Sequence, residues 1–105
     1  MNTMFYAIFT DENGKQADRL YFSWPEFHAD TFSPACNVIK IIDFHVHGKT
    51  YAERKASLES IAHDVSEWFD SMYVSWLELC NISEWFETMG KRYGMLTEFR
   101  ENGFC

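Results

Sequence analysis

The chain predicts an α+β domain in the order ββαβαα, a three-stranded antiparallel sheet packed by two amphipathic helices. Three observations carry this expectation. Asn13-Gly14 lies between two strand-like runs and is the strongest short-range hairpin signal. The β-branched stretch 36-CNVIKIIDFHVH-47 reads as a third strand. Two later segments repeat apolar residues at spacings of three and four, the mark of helices with one buried face.

Taken in order, residues 4 to 12 pair with 15 to 22 across a two-residue turn at Asn13 and Gly14. This sets Leu20 opposite Ala7 and Phe22 opposite Phe5 on a buried face. In SWPEF, Ser23 can cap, Pro25 suits a first helical turn and Glu26 completes a capping box, so a short helix spans 24 to 31. Ser33-Pro34 ends it. The strand 36 to 47 then reads as central or well covered. Gly48 breaks the strand, and Thr50 with Glu53 opens a helix to about residue 71. Its stripe is Tyr51, the Lys55 stem, Leu58, Ala62, Val65, Phe69 and Met72, opposite Glu53, Ser60, His63, Asp64, Glu67 and Asp70. Ser75 with Glu78 opens another helix, striped by Leu79, Ile82, Phe86 and Met89 and stopped by Gly90. MLTEFRE forms one more short helix, and all helices are expected on one face of the sheet.

At 105 residues the chain is one domain. Cys36, Cys80 and Cys105 are an odd number at unrelated spacings and read as thiols in a reducing compartment, Cys80 as packing and Cys105 as tail. No apolar run suits a membrane span and the first residues lack the form of a signal peptide, so a cytoplasmic location is expected.

Sixteen acids face nine Lys and Arg, a formal charge of −7. The distribution says more than the total. No Lys or Arg occurs between Lys55 and Lys91, and the window 59 to 87 holds seven carboxylates. Such a chain is repelled by phosphate backbones and anionic membranes, which excludes direct nucleic-acid binding and favours a basic protein partner. Ten Phe, five Tyr and four Trp are more aromatic surface than one small core hides, so some rings stay outside.

Asp43, His45 and His47 alternate along the third strand and share a face, a ligand set suited to zinc or iron; the alternative is a wet strand end. No companion His or Cys spacing exists, so no metal is expected and a metal-dependent enzyme ranks last. His63, Asp64 and Glu67 lie on a polar helix face without a nucleophile. Gly48-Lys49-Thr50 lacks the upstream glycine of a phosphate loop and reads as a strand end followed by a cap. Neither a catalytic set nor a cofactor is expected.

The acids carry the sharper signal. Glu59, Asp64, Glu67, Asp70, Glu78, Glu84 and Glu87 forgo the acid-base pairs that usually lace a solvated helix. On the second long helix Trp85 aligns with Glu78, Asn81 and Thr88, and Leu77 with Asn81 and Glu84, away from the apolar stripe. An aromatic anchor ringed by acids is the form of a protein-binding face. A duplex carries a charge every ~1.7 Å, so seven acids over two helices reach a little over half that density, making the chain a partial DNA mimic.

In size and acidity, and in the stretches GKTYAERKASLESIA and GKRYGMLTEFRENG, the chain resembles small accessory proteins of phages and plasmids, among them anti-CRISPR and antirestriction inhibitors. The resemblance implies a small inhibitor that blocks a nucleic-acid-binding surface in the host cytoplasm. It assigns no individual residue. The expectation is a non-catalytic inhibitor that meets a basic surface of a nucleic-acid-handling host protein through Glu59, Asp64, Glu67, Asp70, Glu78, Glu84, Trp85 and Glu87. A structural or regulatory homodimer joined through aromatics is the second expectation.

Overall fold

β1 (Phe5–Thr10) is buried over five consecutive residues, Phe5 to Phe9, and this double-sided burial organises the computed structural model, which describes residues 3–105. β2 (Gln16–Tyr21) and β3 (Asn37–Asp43) flank it in the antiparallel order β2-β1-β3. Successive strand side chains point to opposite faces. Tyr6 and Ile8, with Leu20 and Ile42, therefore face one core, built with α2 (Tyr51–Trp68), α3 (Trp76–Tyr93) and α4 (Leu96–Glu101). Phe5, Ala7, Phe9 and Tyr21 face the other, which Phe27 of α1 (Trp24–Asp30) closes. Helices thus cover both faces rather than the expected one, because β1 has no polar side to leave in water.

The hairpin differs from expectation by one residue. Phe5 pairs with Tyr21 and Tyr6 with Leu20. The reason is Asp11, whose carbonyl accepts from Gly14 N at 3.0 Å while its own N–H donates to Lys15 O at 2.8 Å. Its carboxylate also accepts from Asn13 N and Lys15 N, both at 2.9 Å. The loop therefore holds three residues, with Gly14 left-handed at φ 79°. One step of register moves Leu20 to the face of Tyr6.

β3 is also not central. It is an edge strand that leaves Val38 and Ile39 exposed, and the register shift between Ile8 and Phe9 makes Ile39 an extra, bulged residue. The chain leaves strand geometry after Asp43, short of the expected residue 47, although Phe44 N still donates to Met4 O at 3.0 Å.

Two of the three expected caps form. Ser75 Oγ accepts from Glu78 N while Glu78 accepts from Ser75 N, a complete capping box. Thr50 accepts from Glu53 N at 3.1 Å, but the Glu53 carboxylate takes Lys49 N at 2.8 Å. Ser23 makes no side-chain cap bond, since Pro25 removes one of the two N–H groups such a cap addresses.

On α2 the buried side is Leu58, Ile61, Ala62 and Val65, whereas Tyr51 and Phe69 of the expected stripe are exposed. Phe69 begins a short 3₁₀ turn (Phe69–Ser71), whose tighter winding rotates it off the α-helical stripe. α3 does not stop at Gly90. It continues a turn to Tyr93 and ends on left-handed Gly94, φ 71°. Gly90 is instead where α4 crosses, since a Cβ there would lie 2.9 Å from Leu96 Cα and 3.0 Å from Phe99 Cδ2.

Carboxylates tie the two halves together. Glu78 Oε2 accepts Leu20 N of β2 at 2.6 Å, and Asp18 Oδ2 accepts Tyr73 N at 2.6 Å as well as the buried Tyr6 hydroxyl. On the other face, Asp30 holds α1 to β2 through the Tyr21 hydroxyl at 2.7 Å and Arg19 at 3.1 Å.

Three outcomes are expected. Glu78→Ala loses both the cap and the β2 bond and lowers unfolding free energy by about 1–3 kcal/mol in urea titration. Gly90→Ala forces α4 away and costs about 1–3 kcal/mol by the same measurement. Burial first, then the hydrogen bonds to Asp18 and Asp30, push the Tyr6 and Tyr21 hydroxyls far above their ordinary value of 10.0. The fold therefore favours neutral phenols, and this stability is full below about pH 10 and lost as pH rises beyond it, where the unfolded chain ionises. Tyr6→Phe shallows that alkaline decline in thermal melts.

Candidate protein-binding surface

The seven window acids occupy three different settings. Glu78 is committed to the fold through Ser75 N and Leu20 N. Asp64, Glu67 and Glu87 are paired, with Lys40 at 3.6 Å, His63 at 3.6 Å and Lys91 at 3.3 Å respectively, and Arg100 lies 4.0 Å from Glu87. The Lys91 pair exists because α3 runs past Gly90, which extends a basic residue onto the same helix. Glu59, Asp70 and Glu84 are exposed and have no ion pair among the described residues.

Two adjoining grooves bring part of this set together. One, of about 340 Å³, is lined by Trp76, Leu79, Cys80, Ser83, Glu84, Glu87 and Cys105. The other, of about 200 Å³, is lined by Val65, Ser66, Phe69, Asp70, Leu79, Ile82 and the tail residues Asn102, Gly103 and Phe104. Leu79 borders both, with Asp70 lining the groove on one side of it and Glu84 and Glu87 the groove on the other. Phe104 builds the tail side by packing on Phe86, ring centroids 4.6 Å apart. Glu59 and Glu67 lie about two turns apart on the outward side of α2, opposite its buried stripe.

Trp85 does not belong to this surface. It is half-buried, stacked edge-on against Phe44 at 5.1 Å and Phe86 at 5.0 Å on the opposite flank of α3. Of the two off-stripe residues, Trp85 is thus largely covered and Leu77 exposed. The open rings are Tyr73, 77 % exposed, and Trp76, 78 %, with Leu77 at 73 % and Phe69 at 51 %. A signal for them exists in the sequence. Trp76 and Leu77 directly follow the Ser75 cap and fall off the apolar stripe at the start of α3.

Cys80, expected to pack, is exposed on the same flank, and Cys80 and Cys105 are both free thiols. His45 and His47 stack at 6.1 Å, with His47 Nδ1 3.2 Å from the His45 carbonyl, which fixes the proton on that nitrogen. Among the described residues no three His, Cys, Asp or Glu side chains gather as a metal site, and no helix is long and apolar enough to cross a membrane. His63 lies 3.6 Å from Glu67 on an exposed helix face.

Comparison of the chain with family models, with curated proteins and with solved structures finds no match.

Proposed function

We propose that the protein is a non-catalytic inhibitor of the anti-CRISPR or antirestriction type, acting in a host cytoplasm by occupying a basic surface of a nucleic-acid-handling protein. The single observation that carries the reading is that exposed Phe69 and Trp76 line the two grooves with the unpaired Asp70 and Glu84, while Tyr73 and Leu77, close to Trp76 in the chain, are exposed as well. Exposed apolar surface of this kind gains by leaving water, and flanking carboxylates select a cationic partner. Charge steers the encounter and the rings hold the complex. With Glu78 turned inward and Asp64 neutralised by Lys40, the field is thinner than that of a duplex, so aromatic grip supplies what charge alone does not.

A self-association through this surface is less favoured by the same geometry. A two-fold contact would bring the carboxylates Asp70, Glu84 and Glu87 of both copies into one interface.

The test begins with capture from bacterial lysate, then reconstitution with the purified partner. The expected partner binds DNA or RNA, and the protein displaces that nucleic acid from it. Affinity falls steeply between about 50 mM and about 500 mM salt, since exposed carboxylates are screened. Trp76→Ser with Leu77→Ser weakens binding at least about tenfold while leaving circular dichroism unchanged. Asp70→Lys with Glu84→Lys chiefly slows association and flattens the salt dependence. A tight dimer in sedimentation that buries Trp76, or binding indifferent to salt, overturns the reading.

A further inference from the structure

The acidic balance of this protein is reversed at one place. A cleft of about 560 Å³ opens between the segment after β3, the first turn of α2 and the end of α3. Arg54, Arg92, His45 and His47 stand around it, Trp85 and Tyr93 form part of its wall, and no Asp or Glu lines it. In a chain with sixteen acids and nine Lys and Arg, a carboxylate-free cleft with two arginines is a strong segregation of charge.

The arginines are also unspent. Arg19, Lys40, Lys91 and Arg100 each meet a carboxylate, whereas among the described residues neither Arg54 nor Arg92 does. Arg54 Nε donates to Gly48 O at 3.1 Å, which aims the guanidinium and leaves its terminal nitrogens uncommitted. Gly48 itself sits at φ 140°, where a Cβ would fall 2.7 Å from Glu53 Cβ. Only glycine lets the loop carrying His45 and His47 approach α2 this closely, so the backbone holds these imidazoles at the same cleft as Arg54. Phe44 and Phe86 meet Trp85 at 72° and 85°, fixing the plane of the indole.

We propose that this cleft binds a mononucleotide, its base against Trp85 and its phosphate on Arg54 and Arg92. Guanidinium groups match phosphate oxygens two at a time, and the fixed indole of half-buried Trp85 supplies an apolar surface for a heteroaromatic base. The volume lies within the range of about 300–1,000 Å³ typical of small-molecule sites. A free nucleotide is favoured over a nucleic-acid strand because a strand leaving the cleft would run over a protein of charge −7. The site is distinct from the Trp76 grooves and does not depend on the inhibitor reading.

Calorimetry and amide NMR on the full chain test the proposal with AMP, adenosine, inorganic phosphate and a short single-stranded oligonucleotide as probes. AMP is expected to bind with Kd below about 1 mM. Adenosine and phosphate each bind at least about tenfold more weakly, and the amides that move are those of 45 to 48, 54 and 92. Arg54→Gln with Arg92→Gln lowers AMP affinity at least about tenfold. Both side chains are exposed, so the melting temperature serves as the folding control, and Arg92→Gln alone gives a second, milder variant. Absence of AMP binding at millimolar concentration, undiminished binding in both variants, shifts confined to other regions, or an oligonucleotide that outcompetes AMP would each overturn the assignment.

Discussion

The carboxylate of Glu78 is the joint on which the molecule turns. One oxygen completes the cap of α3 on Ser75 N, and the other accepts the outward N–H of Leu20 on β2. A helix start leaves donors unsatisfied, and so does the outer edge of a strand. A single side chain answers both needs and thereby fixes where α3 begins relative to the sheet. Asp18 repeats the device a few residues away, linking β2 to Tyr73 N just before the helix. The exposed rings of Tyr73 and Trp76 and the exposed Leu77 side chain are carried on backbone anchored in this way.

The abundance of aromatic residues follows from a sheet buried on two sides. Phe5, Phe9, Tyr21 and Phe27 fill the small core under α1, and the exposed Trp24 stacks on Phe5 at 3.9 Å. Phe44, Phe86, Phe99 and Phe104 fill the larger one through a chain of mostly edge-on contacts. Large rings allow a chain of this length to close two cores instead of one. Charge is partitioned as well, with the open Asp70 and Glu84 lining the grooves before and midway along α3, and Arg54 and Arg92 lining a carboxylate-free cleft near its end.

Local signals were legible where local physics decides. The Ser75 and Thr50 caps, the three strands and the fourth helix follow from short-range preferences and were readable in the chain. What escaped depends on tertiary approach. Asn13-Gly14 suggested a two-residue turn, but the Asp11 side chain makes a three-residue loop more satisfied, and all β2 pairings move with it. Gly90 looked like a helix stop because glycine usually serves as one; here it is a crossing point for α4, which no local pattern reveals. The β-branched run of β3 suggested a covered strand, yet β1, with its weaker pattern, took the centre. For the candidate surface, the acids and Leu77 were recognisable from spacing, while the inward turn of Glu78 and the covering of Trp85 required the sheet to be in place.

The bulge at Ile39 has a bearing on how the molecule behaves in a crowded solution. Val38 and Ile39 sit on an open margin that would otherwise suit an incoming extended peptide. The additional residue throws that margin's donors and acceptors out of step with any regular neighbour and bends it. Fibrillar growth along this border is thereby frustrated, and a greasy rim is kept without becoming a seed for aggregation.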